Sequence, residues 1–360
     1  MMRIETPALC LQEKRLDANI DHLLAIAGDS KRLWPHIKTY KTSRLVMRLQ
    51  ARGVRAFKCA TRSEARLLGR CGVRDALLAY PPTGASVDAF VRDSARYRNT
   101  RFSCLVEDAP RLHEIETSAE TAGVIIGIFV DIDTGQGRTG TGDVSLISEL
   151  ADFARASSSL EFRGLHLYDG QNHQSDPEER ATAARTCVEF AEKLRSSISI
   201  EFGELFIAGG TPTFPYYAQS TGYALSPGTA IIFDAGYARL FPDLPFQPAA
   251  WVLSTVVSVQ SDRRITVDAG TKAIAIDPAG ARGKFTNADV AETLIHNEEH
   301  WVVRLKPGNE IPKVGDQIRI VPTHVCPTFN LYNELHLVDE TGNPKDRWAI
   351  DGRDRTLGPG

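Results

Sequence analysis

Val124-Ile125-Ile126-Gly127-Ile128-Phe129-Val130-Asp131-Ile132-Asp133-Thr134-Gly135-Gln136-Gly137-Arg138-Thr139-Gly140 sets an apolar, β-branched run directly against a glycine-rich turn. An amphipathic stretch at 145–156 follows, and then a second apolar run at 161–167. A short apolar run, a turn, a helical pattern and another short run spell one strand–helix–strand unit.

The same alternation extends outward from this unit, over about residues 17 to 237. Further strand-like runs lie at 33–37, 56–59, 76–80, 102–106, 205–208 and 230–234. Helical patterns stand between most of them, at 42–52, 62–69, 85–97, 109–122 and 177–196. In the last, Ala184, Val188, Phe190, Ala191 and Leu194 fall along one side. Eight strand–helix units predict an α/β fold, a (β/α)8 TIM-type barrel, with a doubly wound sheet as the alternative.

After Tyr237 the texture changes. Runs at 251–260, 264–267, 301–305, 317–321 and 335–338 are strand-like, separated by Gly, Pro, Asn and Asp, with no long helical period. The expected division is a barrel over 12–240 and a mostly β domain over 241–360. The extended segment 8–11, ahead of the first helix, is placed to pair with that second domain.

With 42% hydrophobic and 24% charged residues and a formal net charge of -3, the 360-residue chain reads as a globular protein that buries a full core. That charge makes no electrostatic case for nucleic acid or an anionic membrane, so a small-molecule protein is expected. The six cysteines are scattered, with no CxxC pair, which reads as free thiols in a reducing compartment. Neither a signal-peptide pattern nor a membrane-length apolar run is present, and a cytoplasmic location is expected.

In a barrel, chemistry sits at the C-terminal ends of the strands. The first strand ends in Trp34-Pro35-His36-Ile37-Lys38-Thr39-Tyr40-Lys41, which places Lys38 there. A partly buried lysine amine can form a Schiff base with a carbonyl, although a solvated loop lysine reads the same way in isolation. Two loops supply it with company: Gly209-Gly210-Thr211-Pro212-Thr213 after the seventh strand and Ser226-Pro227-Gly228-Thr229 at the eighth. Barrels frequently hold phosphate between these loops, where glycine lets amides approach and threonine adds hydroxyl donors.

Arg138, on the glycine-rich turn, could set a fixed cation beside the phenolic oxygen of a bound cofactor, or simply pair with Asp131 or Asp133. After the sixth strand, Tyr168 could meet a cofactor's ring nitrogen or merely close the barrel top, and His173 follows as a candidate base. In the β domain, Val321-Pro322-Thr323-His324-Val325-Cys326 sets an imidazole and a thiol two residues apart. In extended chain both face one way and could share a divalent metal, zinc being well suited. A core histidine beside a buried thiol is the plainer alternative.

Four of these segments, Pro35-His36-Ile37-Lys38-Thr39, Gly135 to Gly140, Gly209-Gly210-Thr211 and Pro322-Thr323-His324-Val325-Cys326, resemble in content and order the D-threonine aldolase and D-serine dehydratase family. That family lies within the alanine-racemase-like fold type III pyridoxal enzymes. The resemblance implies a barrel plus a β domain, a homodimer, and pyridoxal 5′-phosphate carried by Lys38. It further implies Arg138 at the cofactor's O3′ and Tyr168 by the pyridine nitrogen. Gly210, Thr211, Gly228 and Thr229 would hold the phosphate, and His324 with Cys326 a divalent metal, zinc or manganese, that engages a substrate β-hydroxyl. The sequence departs from the family's pattern at Tyr40, where histidine is common, and around His173, where the spacing differs.

The resemblance implies a lyase on β-hydroxy-D-amino acids, with retro-aldol cleavage to glycine and an aldehyde as the leading expectation. Dehydration to a 2-oxo acid and ammonia is the close rival. Cysteine at 326 favours the dehydratases, whereas His296-Asn297-Glu298-Glu299-His300 and residues 209–215 look like the aldolase-like branch. A racemase, with a tyrosine such as Tyr332 as second base, and a non-catalytic cofactor carrier are the remaining readings. The metal pair argues against both.

Overall fold

The computed structural model describes residues 4–199, 203–277, 279–308 and 310–355. The chain divides into two compact units. One comprises Leu24–Lys38, Ser43–Gly228 and Gly352–Gly360; the other comprises Met1–Leu23, Thr39–Thr42 and Thr229–Asp351. The division falls at 228/229 instead of the expected 240, and the four residues after Lys38 are assigned with the β unit.

In the first unit seven strands form one sheet in sequence order: Ala56–Cys59, Asp75–Leu78, Arg101–Val106, Ile126–Asp131, Leu160–Leu167, Leu205–Ala208 and Ala224–Leu225. Every neighbouring pair is parallel. Residues 33–36 close the ring through isolated parallel bridges, Leu33 to Leu225 on one side and His36 to Lys58 on the other. Trp34 N–H donates to Leu225 O at 2.7 Å and Lys58 N–H to Pro35 O at 3.0 Å. The barrel expectation holds, with the first stave held by these bridges.

One stave differs. Residues 230–234 are not a strand: Ile232 and Phe233 N–H both donate to Thr229 O, Phe233 has φ 50, and Asp234 caps the helix Ala235–Leu240 through Tyr237 N. The eighth position is taken by Ala224–Leu225. A short apolar run reads as a strand whether a sheet or a turn buries it, and here a turn buries Ile231 and Ile232.

Helices connect the strands, and several carry a local start signal. Asp108, Asp143 and Asp176 accept N–H groups from the first turns of Ala109–Ala122, Val144–Ala156 and Pro177–Ser197, and Gly123 ends the first of these in the left-handed region. Inside the ring, Trp34, Leu77, Leu105, Phe129 and Ile207 pack together. The Arg163 guanidinium lies 5.8 Å from both the Trp34 and Phe129 rings and is ion-paired at 2.9 Å with the fully buried Asp75.

In the second unit, Ala8–Gln12 sits inside a sheet of order Val290–His296, Trp301–Leu305, Arg264–Val267, Ala250–Val259, Ala8–Gln12, Glu334–Val338, Pro344–Ala349. The N-terminal strand runs antiparallel to Ala250–Val259, with Cys10 opposite Trp251, and parallel to Glu334–Val338, with Cys10 opposite His336. All five of its residues are buried, which explains an unbroken Ala-Leu-Cys-Leu start. Gln317–Pro322 pairs with Ala250–Val259 and carries Gly283–Phe285 on its other side. The pairing expected for residues 8–11 is thus present. Among the described residues no helix is long and apolar enough to cross a membrane.

Candidate active site

Three basic side chains converge on one aromatic ring at the C-terminal end of the barrel. Lys38 Nζ lies 5.8 Å from the centroid of the Tyr168 ring, Lys58 Nζ 5.7 Å, and the Arg138 guanidinium carbon 5.2 Å. Lys38 is half-buried on the turn that follows residues 33–36, Arg138 is exposed on the turn after Ile126–Asp131, and Tyr168 follows Leu160–Leu167. Close packing shapes this corner. A Cβ on Gly170 would stand 2.2 Å from Tyr168 Cε1, so the ring folds back over its own chain only because position 170 has none. A Cβ on Gly140, at φ +95, would stand 2.6 Å from Asp133 N and 2.7 Å from the Ile132 carbonyl carbon, so only glycine lets the Arg138 turn close there.

Arg138 does not draw on Asp131 or Asp133. Asp133 accepts the N–H groups of Gly135 and Gly137, and Asp131 accepts the Thr139 hydroxyl at 2.8 Å and lies 2.7 Å from His166 Nδ1. A buried polar chain that sequence reasoning missed begins there. His166 Nε2 is 2.7 Å from Lys58 Nζ, which also donates to Ser226 Oγ at 2.6 Å. All four residues are buried.

The energetics follow from that burial. Desolvation and then the charge of Lys38 bring Lys58 down from 10.5 to about 7. Desolvation and then Lys58 bring His166 down to about 4. Burial would raise Asp131, but the His166 and Thr139 hydrogen bonds hold its carboxyl below the ordinary value. The one available hint was a lysine in the middle of an otherwise apolar run, Ala56-Phe57-Lys58-Cys59.

The two glycine-containing loops do meet: Gly228 N–H donates to the Thr211 hydroxyl at 3.2 Å. Gly210, however, gives its N–H to the buried Asp169 carboxylate at 3.0 Å, and Thr213 and Tyr217 hydroxyls donate to the same carboxylate at 3.0 and 3.1 Å. Asp169 therefore staples the loop after Leu160–Leu167 to the loop after Leu205–Ala208, and its carboxyl is pushed up by burial against those hydrogen bonds. His173 is exposed on the same loop, its N–H turned back to Gln171 O.

In the β unit, His324 and Cys326 are neighbours, but not on extended chain. His324 is extended at φ -130 and stands at the N-cap of the short helix Val325–Phe329, and Cys326 is in that helix's first turn. A chain reversal brings the imidazole and thiol together in place of strand alternation. Burial would raise the Cys326 thiol, but the hydrogen bond and charge of His324 pull it below its ordinary value. His324 is lowered by burial yet raised overall to about 9 by Cys326, Asp234 and Asp277. The hydroxyls of Thr39 and Thr229 lie 3.2 and 3.7 Å from Cys326 Sγ, and His324 Nδ1 is 3.1 Å from Asp277. Tyr332 gives its hydroxyl to Ala273 O at 2.7 Å. No group of three His, Cys, Asp or Glu side chains is arranged for a metal among the described residues.

Comparison with known proteins agrees with both units. Residues 11–235 match the alanine racemase N-terminal domain, and residues 249–338 match a serine dehydratase domain. The chain is 33% identical to a D-threonine aldolase of an Arthrobacter species, across 98% of this chain and 94% of that one. It is 26% identical to a 3-hydroxy-D-aspartate aldolase of Paracoccus denitrificans over 97% and 92%. The crystal structure of D-threonine aldolase from Filomicrobium marinum superimposes with a TM-score of 0.90 at 26% identity, covering 97% of this chain and 95% of that one. On the convergent barrel site, the His324–Cys326 pair and this full-length similarity, the chain belongs to the D-threonine aldolase and D-serine dehydratase family of lyases, built on the alanine-racemase fold.

Proposed function

We propose that the chain is a pyridoxal-phosphate- and metal-dependent lyase that cleaves a β-hydroxy-D-amino acid between Cα and Cβ, giving glycine and an aldehyde. The observation that carries this reading is the convergence of Lys38, Lys58 and Arg138 on the Tyr168 ring, with none of the three ion-paired to a carboxylate among the described residues. Basic groups gathered around an aromatic face without a directly paired carboxylate suit a flat, anionic, carbonyl-bearing cofactor. The donor chemistry of His324 and Cys326 likewise suits a divalent ion: an imidazole beside a thiol drawn toward thiolate, with two donors only, leaves positions for water and substrate.

Lys38 would hold the cofactor through Nζ, Tyr168 would stand by its ring nitrogen, and Arg138 would set a fixed cation at its phenolic oxygen. Thr211 and Gly228, with Gly210 and Thr229, would receive the phosphate. Asp169 keeps the loops after the sixth and seventh strands from moving relative to each other. When bound, the cofactor supplies an electron sink for the pair released at Cα, and the metal supplies a Lewis acid for the β-hydroxyl. His173 is the group offered to take the β-hydroxyl proton, and its exposure puts it within reach of solvent.

One observation favours the dehydratase reading, the thiol of Cys326 as the second ligand. Incubation with D-threonine and D-serine separates the two. Acetaldehyde and glycine from D-threonine support the aldolase; 2-oxobutanoate or pyruvate with ammonia supports the dehydratase; no product from either substrate sinks the assignment.

A further inference from the structure

We propose that Lys58 is a third cofactor-anchoring cation of the barrel site, a buried amine that takes up a proton when the anionic pyridoxal phosphate binds. The inference rests on the reading of Lys38 as the cofactor lysine and adds a residue and a proton to it.

The geometry defines how the Lys58 amine is held. The Asp131 carboxylate can only accept, so the His166 nitrogen beside it, Nδ1, carries the hydrogen and Nε2 is the acceptor. Lys58 therefore donates one hydrogen to His166 at 2.7 Å and a second to Ser226 at 2.6 Å. The third position on Nζ is a lone pair in the amine and a hydrogen in the ammonium. Both hydrogen bonds are satisfied in either state, so the polar chain tolerates Lys58 charged or neutral.

The surroundings determine which state is present. Lys38 and Arg138 repel a charge on Lys58; Asp131, behind His166, and Asp169, beyond Tyr168, attract it; burial disfavours it. Cys59, next along the strand, turns its thiol to Leu77 O. The balance leaves Lys58 at about 7. A ligand whose phosphate was received by the Thr211 and Gly228 loops and whose phenolic oxygen met Arg138 would offset the repulsion from Lys38 and Arg138 and add an attraction of its own. The ammonium is then favoured, and a proton is drawn from solvent.

The sign follows by linkage. A group raised on binding strengthens binding fully below its free value and loses that gain as pH climbs toward its bound value. Affinity should thus fall by up to ~10-fold per pH unit above 7 until the bound value is reached. A lysine that merely plugs the barrel would leave both proton number and slope unchanged on replacement.

The probe is pyridoxine 5′-phosphate, which has no aldehyde and forms no bond with Lys38. Its binding to the full-length, cofactor-stripped protein is measured by calorimetry at pH 7 to 9, in two buffers of different ionisation heat. At pH 8 the wild type should take up roughly 0.5–1 proton more than Lys58→Met or Lys58→Gln, and its affinity should fall more steeply with pH. Equal proton numbers and equal slopes would overturn the inference, as would the absence of any uptake by the wild type should both variants fail to fold. If neither pyridoxal phosphate nor the probe binds the wild type, the cofactor reading itself fails; binding without the proton difference removes only the role of Lys58.

Discussion

His166 and Asp131 stand directly opposite each other on neighbouring parallel strands, imidazole Nδ1 to carboxylate Oδ1 at 2.7 Å, both buried. Burial of this imidazole, against the opposing pull of Asp131, makes folding sensitive to acid. Burial and Lys58 hold His166 near 4, whereas in the unfolded chain it titrates near 6.5. Between these values the unfolded state binds more protons, so stability rises with pH from about 4 to 6.5 and is lost on acidification through that window. The effect amounts to as much as ~3 kcal/mol. Urea unfolding of the wild type and His166→Gln from pH 7 to 4.5 should show a flatter slope in the variant; parallel slopes would place the sensitivity elsewhere.

Lys38 is expected to be the residue modified when the cofactor-loaded protein is treated with borohydride. Peptide mapping should find the reduced adduct on Lys38, and Lys38→Ala should lose it together with the visible absorbance. An adduct on Lys58 or Lys41 would overturn the assignment.

The His324–Cys326 pair should make turnover metal-dependent. EDTA should abolish it, and zinc or manganese should restore it. Cys326→Ala and His324→Ala should each bind less metal by elemental analysis while keeping the cofactor absorbance. Full activity in metal-free protein would remove the pair from the mechanism.

His173 tests the proposed base. Because its side chain is exposed, His173→Ala should leave the unfolding free energy within about 0.5 kcal/mol of wild type. Its kcat for D-threonine cleavage should fall about 10²-fold or more. A loss of less than threefold would transfer the proton to another group.

Asp75 and Arg163 form a buried ion pair below the site. Replacing the fully buried Asp75 by Ala strands the guanidinium among Trp34 and Phe129, and should destabilise the protein by about 3–5 kcal/mol in urea titration. Arg101 and Arg74 also contact Asp75, so three arginines lose their shared acceptor at once. A cost below 1 kcal/mol would mean that water reaches the vacated position.

Much of the fold was legible because it rests on local pattern. Apolar runs between amphipathic stretches mark the barrel's staves and helices, and the extended segment 8–11 ahead of the first helix marks a strand for the second sheet. The failures have physical causes. Residues 230–234 are apolar because a turn buries them. The strands Gly283–Phe285, Val290–His296 and Pro344–Ala349 leave little pattern in the sequence because they are short or largely exposed. Strand alternation predicts the meeting of His324 and Cys326, whereas a helix start brings them together.

The sequence by itself determined the order of the motifs and the end of the barrel at which Lys38, Arg138 and Tyr168 must stand, since strand ends are a property of local chain. Only the tertiary structure decided that Lys58 joins them. Lys58 meets a histidine 108 residues away, and that histidine meets an aspartate 35 residues away, through the register of parallel strands and the closure of the ring. Register is a non-local property: sliding one strand by one residue would turn Lys58, His166 or Asp131 to the opposite face, and the sequence of any single strand does not specify its neighbour's alignment.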